Sequence, residues 1–340
     1  METTHAVGAG DARDLSLPDD AVDLVVTSPP YPMVELWDEA FAATAPGVES
    51  ALDAGNGAAA FAAMHDALDE AWAEVARVLA PGGLACIVVG DAARTLDRFR
   101  LYRNRDRVGA AFESLGFDPL PDVVWRKPAN SAAKFMGSGM LPPNAYVTLE
   151  HESVLVFRNG ARRSFEPGAD RRYEAAYFWE ERNRWFSDVW TDVRGVAQDV
   201  EEGPRERTAA YPFAVPYRLI NMYSVYGDSV LDPFWGTGTT TLAAMVAGRS
   251  SVGVERHVDL VEGFADRVAD VPALSREVTA ERLADHADFV AGREDDHGYE
   301  SAHYEMPVRT KQERRLRLYE VEAVRETSEG YVAEHAPAEW

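Results

Sequence analysis

The chain of 340 residues is 46% hydrophobic, which is enough to bury one large α/β core or two smaller ones. Its formal net charge is −23 at pH 7, and only three of its 34 basic residues are lysine. This composition predicts a halophilic protein, because concentrated salt screens the repulsion among carboxylates. The single cysteine excludes an internal disulfide, and no apolar run is long enough to cross a membrane, so we expect a cytoplasmic protein without membrane contact.

Apolar runs alternate with helix-like segments along most of the chain. Strands are predicted at residues 21–28, 84–91, 122–128, 151–160, 228–234 and 249–255, and helices at 68–83, 107–117, 211–225 and 238–248. This alternation predicts an α/β fold, in which helices cover both faces of a doubly wound, mostly parallel sheet.

Three segments interrupt the alternation. One is rich in alanine and glycine, one is dense in arginine, glutamate and aromatic residues, and the tail alternates like a small hairpin. We therefore divide the chain into four segments, which are residues 1–158 (with an insertion at 39–60), 159–207, 208–291 and a C-terminal extension at 292–340.

Two short motifs carry the chemistry. The first, "TSPPYP", ends a buried strand with a rigid turn that bears a hydroxyl and an aromatic ring. The second, "VLDPFWGTGTT", leads from a strand into a helix through Gly236 and Gly238, which let the backbone approach a ligand. It lacks the lysine of a phosphate loop, and Glu255 ends the next strand where it suits ribose hydroxyls. The pattern favours an adenosine-type ligand without a pyrophosphate.

Together, "TSPPY" and "DPFWGTG" resemble motifs of the amino DNA methyltransferases, which methylate the exocyclic nitrogen of cytosine or adenine. The catalytic motif precedes the cofactor motif, an order that is similar to that of the beta group. "ARVLAPGGLACIVVGD", "EHESVLVFRNG" and "RTAAYPFAVPYRLI" also resemble family segments, so the likeness covers roughly residues 9–256, except for the segments 39–60 and 159–207. It implies a Rossmann-like class I methyltransferase fold with circularly permuted motifs, in which residues 1–158 are the catalytic half, 159–207 a target-recognition segment and 208–291 the cofactor-binding half. It also implies S-adenosyl-L-methionine as cofactor and double-stranded DNA as substrate. A cognate restriction endonuclease is a further candidate partner.

The resemblance also implies roles for single residues. Ser28 Oγ and the Pro29 carbonyl would accept hydrogen bonds from the target amino group, Pro30 would stiffen the turn, and Tyr31 would stack on a flipped base. The implied cofactor-binding residues are Asp11, Thr208, Pro212, Phe213, Asp232, Phe234, Gly236, Gly238, Thr239 and Glu255. Asp11 could instead cap a turn and Asp232 could orient its own loop, while Trp235 could crowd the cofactor entrance.

The amino nitrogen would attack the methyl group directly, without a covalent enzyme intermediate. This agrees with the position of Cys86 inside a strand rather than in a catalytic loop. Within the family, S-P-P-Y favours the N4 amino group of cytosine, and the N6 amino group of adenine is the alternative. A catalytically silent DNA-binding subunit of a modification system is the alternative from another class. The eight histidines show no metal-ligand spacing.

An acidic protein that binds DNA needs local basic surfaces, and arginine suits both phosphates and guanine edges. The candidate DNA-binding residues are Arg98, Arg100, Arg103, Arg105, Lys134, Arg162, Arg163, Arg171 and Arg172. The alternative is that these residues form a solvated face and that Trp179, Trp185 and Trp190 belong to the core.

Overall fold

The computed structural model describes residues 1–127, 136–193, 210–292 and 298–340. Its strands are β1 (Glu2–Ala9), β2 (Val22–Thr27), β3 (Leu79–Val89), β4 (Ala92–Thr95), β5 (Phe99–Tyr102), β6 (Asp118–Arg126), β7 (Met136–Gly137), β8 (Ala145–Tyr146), β9 (His151–Arg158), β10 (Val189–Trp190), β11 (Ser229–Asp232), β12 (Ser250–Glu255), β13 (Tyr299–Glu300), β14 (Pro307–Val308), β15 (Tyr319–Thr327) and β16 (Gly330–Pro337).

The helices are α1 (Asp38–Ala42), α2 (Val48–Asp53), α3 (Gly57–Val78), α4 (Asn104–Ser114), α5 (Asp170–Glu174), α6 (Trp179–Trp185), α7 (Ala214–Tyr223), α8 (Thr239–Ala247), α9 (Val258–Glu262), α10 (Phe264–Val268) and α11 (Val271–Ala291). Short 3-10 turns cover Glu35–Trp37 and Glu313–Arg315. None of the helices in the described residues is both long and apolar enough to cross a membrane.

Ten strands form one sheet in the order β10-β6-β9-β3-β2-β11-β12-β1-β16-β15. The five central strands, from β3 to β1, are mutually parallel. On either side of them, β9 and β16 run antiparallel to their neighbours. The predicted α/β fold with a mostly parallel, doubly wound sheet is thereby confirmed.

The winding direction reverses between β2 and β11. The chain passes from β2 to its neighbour β3 on one side, and from β11 to its neighbour β12 on the other. Open α/β sheets bind ligands at such a switch point, in the crevice beyond the carboxyl ends of the strands. We call the side of the sheet where these parallel strands end the carboxyl edge, and the opposite side the amino edge.

Both faces of the sheet are buried. Leu24 and Val26 of β2 pack into a core layer that includes α7 and α8. Val22 and Val25 of the same strand pack into a second layer, with α3 and α4. This burial on both faces explains why the strands read as continuous apolar runs rather than as alternating ones.

The interrupting segments take defined positions. Phe41 and Val48 place α1 and α2 against the layer that holds α3. In the arginine-rich segment, Trp185 and Trp190 are buried in the core, whereas Trp179 is 37% exposed. In the tail, β16 pairs with β1, so the hairpin of β15 and β16 extends the main sheet.

Three buried histidines make the fold sensitive to acid. Thr3 Oγ1 lies 2.8 Å from His5 Nε2 and 2.9 Å from His335 Nε2, between β1 and β16. Burial lowers the pKa of His5 to about 3, with the His335 charge adding to the effect, and burial lowers the pKa of His335 to about 4. Burial also lowers the pKa of His65 to about 4. All three are neutral in the folded protein at pH 7.

Lowering the pH from 7 to 5 is expected to reduce the free energy of unfolding. Below pH 6.5 these histidines bind protons in the unfolded chain but stay neutral in the folded protein. By pH 5 this difference lowers the free energy of unfolding by about 2 kcal/mol per histidine. Urea unfolding at both pH values, in constant potassium chloride, measures the loss. The His335→Gln variant should lose about 2 kcal/mol less, and a wild-type stability that is flat over this range would contradict the assignment.

Candidate active site

The predicted catalytic turn, residues 28–31, directly follows β2 at the carboxyl edge. Asn104, the first residue of α4, donates from its amide to Pro32 O (3.0 Å) and Gly90 O (2.9 Å). Its Oδ1 lies 3.0 Å from His65 Nε2. Since Asn104 is fully buried, these bonds fix the turn to the end of β3 and to α3.

A hydrogen-bond chain passes through the turn. Tyr31 OH donates to Glu152 Oε2 at 3.2 Å and lies 3.0 Å from Ser28 Oγ. Lys127 Nζ donates to the other oxygen of Glu152. Burial and the Glu152 charge raise the pKa of Tyr31 well above its usual value, so the phenol stays protonated.

The carboxylate sets the direction of this chain. An ionised Glu152 can only accept, so the phenol proton points to it. Tyr31 can then only accept from Ser28, and the hydroxyl proton of Ser28 points to the phenol oxygen. Both lone pairs of Ser28 Oγ are thereby left as acceptors for a further N–H group.

The second motif begins where β11 ends. Asp232 is 3% exposed, and its carboxylate accepts four hydrogen bonds: from Thr27 Oγ1 (2.6 Å), Thr240 Oγ1 (2.5 Å), Phe234 N (3.2 Å) and Tyr211 OH (3.3 Å). These donors come from β2, α8, the glycine turn and the residues before α7. Because both oxygens are occupied within the protein, the geometry favours the interpretation that Asp232 orients its own loop.

Glu255 lies at the end of β12, beside the glycine turn. Its Oε2 accepts from Gly236 N and its Oε1 from His257 N, each at 2.9 Å. Asp11 follows β1 at the same edge, where Gly10 N donates to Glu255 O at 2.9 Å. Hydrogen bonds from Arg13 hold the pKa of Asp11 below its usual range. Both carboxylates therefore border the crevice, and each is held by a neighbour.

Trp235 does not face the cofactor entrance. It is 2% exposed, donates from Nε1 to Thr241 Oγ1 at 2.8 Å, and packs edge-on against Phe264. A Cβ on Gly253 would collide with its indole, so β12 needs glycine there. The interpretation that Trp235 could crowd the cofactor entrance is therefore wrong, because its ring is buried in the core.

The two glycines of the turn differ in their surroundings. Both have left-handed backbones, with φ of 58° at Gly236 and 81° at Gly238. A Cβ on Gly238 would also collide with the Phe264 ring and lie 2.6 Å from Trp235 Cζ2, whereas one on Gly236 would meet nothing nearer than Phe234 O at 3.9 Å. Gly236 therefore faces open space, which fits a bound ligand.

Substituting alanine at each of these glycines should separate the effect of backbone strain from that of steric collision of the added Cβ. We expect Gly238→Ala to lower the free energy of unfolding by about 3 kcal/mol, because strain and overpacking add. Gly236→Ala serves as the matched control and should lose only about 1 kcal/mol. Equal losses in urea unfolding would show that the packing against Phe264 and Trp235 is not what requires glycine at position 238.

The other predicted cofactor residues surround this crevice or support it. Phe234 packs edge-on against Trp72, Thr239 starts α8, and Pro212 and Phe213 lead into α7. Thr208 and Lys134 lie outside the described residues.

Several residues of the site escape prediction from the sequence. They are Thr27, Lys127, Glu152, Tyr211 and Thr240. Tyr211 directly precedes Pro212, a predicted cofactor residue, and that position is the available signal. Glu152 stands next to a histidine in an ordinary strand, and no local pattern marks it.

The predicted DNA-binding arginines fall into two groups. The first lies on the β4–β5 hairpin and at the start of α4, beyond β3 at the carboxyl edge. Arg98 is exposed, Arg100 lies over the Tyr102 ring, and Arg103 and Arg105 form ion pairs with Asp106 and Asp122 (2.8 and 2.7 Å).

The second group, Arg162, Arg163, Arg171 and Arg172, lies near the amino edge, because it follows the end of the antiparallel strand β9. Arg163 forms a double hydrogen bond with Asp228, which precedes β11 (2.7 and 2.9 Å). These arginines are thus at the opposite end of the strands from Ser28, and we leave them out of the DNA surface proposed below.

Three features meet at the switch point of the sheet. They are the glycine turn after β11, which lacks the lysine of a phosphate loop, the carboxylate of Glu255 at the end of β12, and the proline turn after β2. The open space above Gly236 and the carboxylate of Glu255 fit an adenosine-type cofactor. The class defined by this fold and site is the S-adenosyl-L-methionine-dependent methyltransferases.

The chain belongs to the N6/N4 family of DNA methylases, whose model matches residues 22–266. It is 48% identical to the type II methyltransferase M.MthZI of Methanothermobacter thermautotrophicus over 325 residues, which cover 94% of this chain and 91% of that protein. It is 45% identical to M.MjaI of Methanocaldococcus jannaschii over 270 residues, covering 75% and 88%. The protein is therefore a DNA methyltransferase.

Solved structures agree with this assignment. A putative DNA modification methylase from Thermus thermophilus, in complex with S-adenosyl-L-methionine, is 31% identical and covers 79% of this chain and 94% of its own, with a TM-score of 0.62. The PvuII DNA methyltransferase, at 17% identity and a TM-score of 0.55, covers 81% and 93% and shares the fold. The cofactor is S-adenosyl-L-methionine.

Proposed function

We propose that the protein methylates the exocyclic N4 amino group of cytosine at a specific sequence in duplex DNA. The observation that carries the proposal is the hydrogen-bond chain from Glu152 through Tyr31, which leaves Ser28 Oγ as an acceptor. The preference for cytosine over adenine is supported by serine at the first position of the motif. The two relatives are named type II methyltransferases, which supports a cognate restriction endonuclease as cellular partner.

The residues of the turn prepare the amino group for attack. Its lone pair is delocalised into the ring, so acceptors at both N–H groups favour a pyramidal nitrogen that can act as nucleophile. Ser28 Oγ and the Pro29 carbonyl would supply these acceptors, and Tyr31 would stack on the base after it leaves the duplex. S-adenosyl-L-methionine supplies an electrophilic methyl group when bound. Holding both reactants in line contributes most of the acceleration.

The cofactor would bind above the glycine turn. Glu255, already aligned by the Gly236 and His257 amides, would accept from the ribose hydroxyls. Phe234 would pack against the adenine or the methionine portion, and Asp11 would border the same pocket. Asp232 would act only through the loop that it orients.

DNA would lie across the carboxyl edge, where two hairpins meet. Phe99 of β5 stacks on Tyr146 of β8, with ring centroids 4.7 Å apart and planes 7° from parallel. Both rings are exposed, at 38% and 45%, and Leu101, Met140 and Val147 of the same hairpins are exposed as well. Aromatic and apolar side chains give contacts that salt weakens less than phosphate contacts.

The double variant Phe99→Ala/Tyr146→Ala is expected to bind DNA about tenfold more weakly, because base stacking on aromatic rings contributes about 1–3 kcal/mol per base. Fluorescence anisotropy at fixed potassium chloride measures this affinity. Tyr299→Ala, which removes a similarly exposed ring in the tail, is the matched control and should bind as the wild type does. An unchanged affinity of the double variant would remove the hairpins from the DNA surface.

The proposal is tested by incubating the protein with unmethylated DNA and S-adenosyl-L-methionine across a potassium chloride series, followed by nucleoside mass spectrometry. We expect N4-methylcytosine, with maximal activity at high salt if the acidic surface reflects a salt-rich cytoplasm. N6-methyladenine would keep the mechanism and change the base. Cofactor binding without any methylated nucleoside would indicate a silent DNA-binding subunit.

A further inference from the structure

A cavity of about 670 Å³ opens near the amino edge, at the opposite end of the strands from the catalytic turn. It lies between the start of β3, the segment that follows β9, and the end of α7. Its size falls within the usual range of small-ligand sites, about 300–1,000 Å³. Neither the proposed cofactor pocket nor the proposed DNA surface includes it.

The charge of this cavity is opposite to that of the chain. Five arginines line it, against two carboxylates, in a protein with a formal net charge of −23. Two of these arginines are neutralised, since Arg158 pairs with Asp118 and Arg163 with Asp228. The cavity therefore keeps an excess of positive charge.

The other three arginines, Arg162, Arg172 and Arg182, form no ion pair with any described residue. Elsewhere in the chain, guanidinium groups as different as those of Arg94 and Arg218 are closed by aspartates in paired hydrogen bonds. All three side chains are solvent-exposed, and their convergence on the wall of one cavity supplies several hydrogen-bond donors for an anion.

Several arginines of the cavity contact aromatic rings. The Phe165 ring has Arg163 at 5.2 Å and Arg172 at 5.0 Å from its centroid, and Arg182 lies 4.7 Å from the Phe186 centroid. Cation–π contacts hold guanidinium groups in place without neutralising them. Burial raises the pKa of Tyr177, which also lines the cavity, so this phenol adds no negative charge.

We propose that this cavity is a second ligand site, which binds a phosphate-bearing ligand of mononucleotide size. Arginine forks match phosphate oxygens in geometry and charge, and the Tyr177 ring in the cavity wall offers a surface for a planar base. The site is independent of the methylation reaction, because it lies at the other edge of the sheet.

The test is calorimetric titration of the full chain with AMP, adenosine and inorganic phosphate at constant ionic strength. Saturating S-adenosylhomocysteine is present throughout, so that the cofactor pocket cannot account for binding. We expect AMP to bind at least tenfold more tightly than either fragment. Arg162→Ala/Arg172→Ala should weaken AMP at least about 100-fold, since each hydrogen bond to a charged group contributes about 10- to 100-fold and two arginines are removed.

One control and one further variant accompany this test. The control, Arg103→Ala, removes a guanidinium group at the carboxyl edge and should leave AMP affinity unchanged. Arg182→Gln should also weaken AMP binding, with a milder change in packing. No AMP binding in the wild type, or equal weakening by Arg103→Ala, would overturn the proposal. So would a single-stranded oligonucleotide that binds through Arg162 and Arg172 while AMP does not, because the cavity would then hold a DNA backbone.

Discussion

Replacing Ser28 with alanine is expected to lower the rate of methyl transfer about 100- to 1,000-fold, the usual effect of losing one preorganised polar contact to a reacting group. The hydroxyl oxygen is one of two proposed acceptors for the amino group, and alanine would leave one N–H unpaired. The affinity for S-adenosyl-L-methionine should stay within about twofold, because no residue of the glycine turn bonds to Ser28. Single-turnover assays with enzyme in excess over DNA measure the chemical step.

Two further variants test whether the hydrogen-bond chain sets the role of Ser28. Tyr31→Phe keeps a stacking ring but removes the phenol oxygen, and Glu152→Gln can donate where the carboxylate only accepts. Each should slow the chemical step at least about tenfold with little change in DNA affinity. If Ser28→Ala transfers methyl groups near the wild-type rate, the proposed acceptor role is wrong. If Glu152→Gln alone leaves the rate of the chemical step unchanged, the direction of the hydrogen-bond chain is not set by this carboxylate.

Much of the fold could be predicted because it depends on local patterns. The buried run at β2 and the glycine turn before α8 each show a periodicity or a turn residue within a few positions. Boundaries are less accurate, since β3 begins at Leu79 and includes the Pro81–Gly83 stretch, which the sequence predicts as the end of a helix. Leu79 pairs with Val22 of β2 and the pairing resumes at Leu84, so the stretch between them is an irregularity in the strand. Gly82 has a left-handed φ of 79° there, and its amide donates to Asn159 O at 2.6 Å.

The parts of the site that depend on distant contacts could not be predicted. Glu152 reaches Tyr31 across 121 positions of sequence, and Thr27 reaches Asp232 across 205. Such pairs form because β9 and β11 join the sheet beside strands that are remote in sequence. The arginine-rich segment shows the same limit, since its composition suggested DNA contact but the direction of β9 carries it to the amino edge.

Asp232 has the largest expected effect on stability. Burial raises its pKa to about 6, although four hydrogen bonds favour the ionised form, so the carboxylate carries its charge at pH 7. Asp232→Ala would leave the hydroxyls of Thr27 and Thr240, the Phe234 amide and the Tyr211 phenol without their shared acceptor. Each unpaired buried donor costs about 1–3 kcal/mol, and partial rearrangement of the hydroxyls makes about 4 kcal/mol the expected total loss.

The asparagine variant separates shape from charge. Asp232→Asn keeps one oxygen for Thr27 and Phe234 and removes a buried charge, so we expect a change of only about 1 kcal/mol at pH 7. The folded-state pKa is raised, so wild-type Asp232 contributes most to stability below about pH 4, and that contribution is lost as the pH rises through 6. Relative to Asp232→Asn, the wild type should therefore gain about 2 kcal/mol between pH 7 and pH 4.

Urea unfolding of the wild type and both variants across this pH range measures these differences, in which the shared histidine effects cancel. Thr240→Val, which removes a single donor and keeps the shape, should cost about 1–2 kcal/mol at pH 7. Equal losses for alanine and asparagine at pH 7 would show that charge, not acceptor geometry, holds the loop. That result would favour the original prediction that Asp232 contacts the cofactor directly, since a carboxylate needed for its charge alone would have to face a ligand.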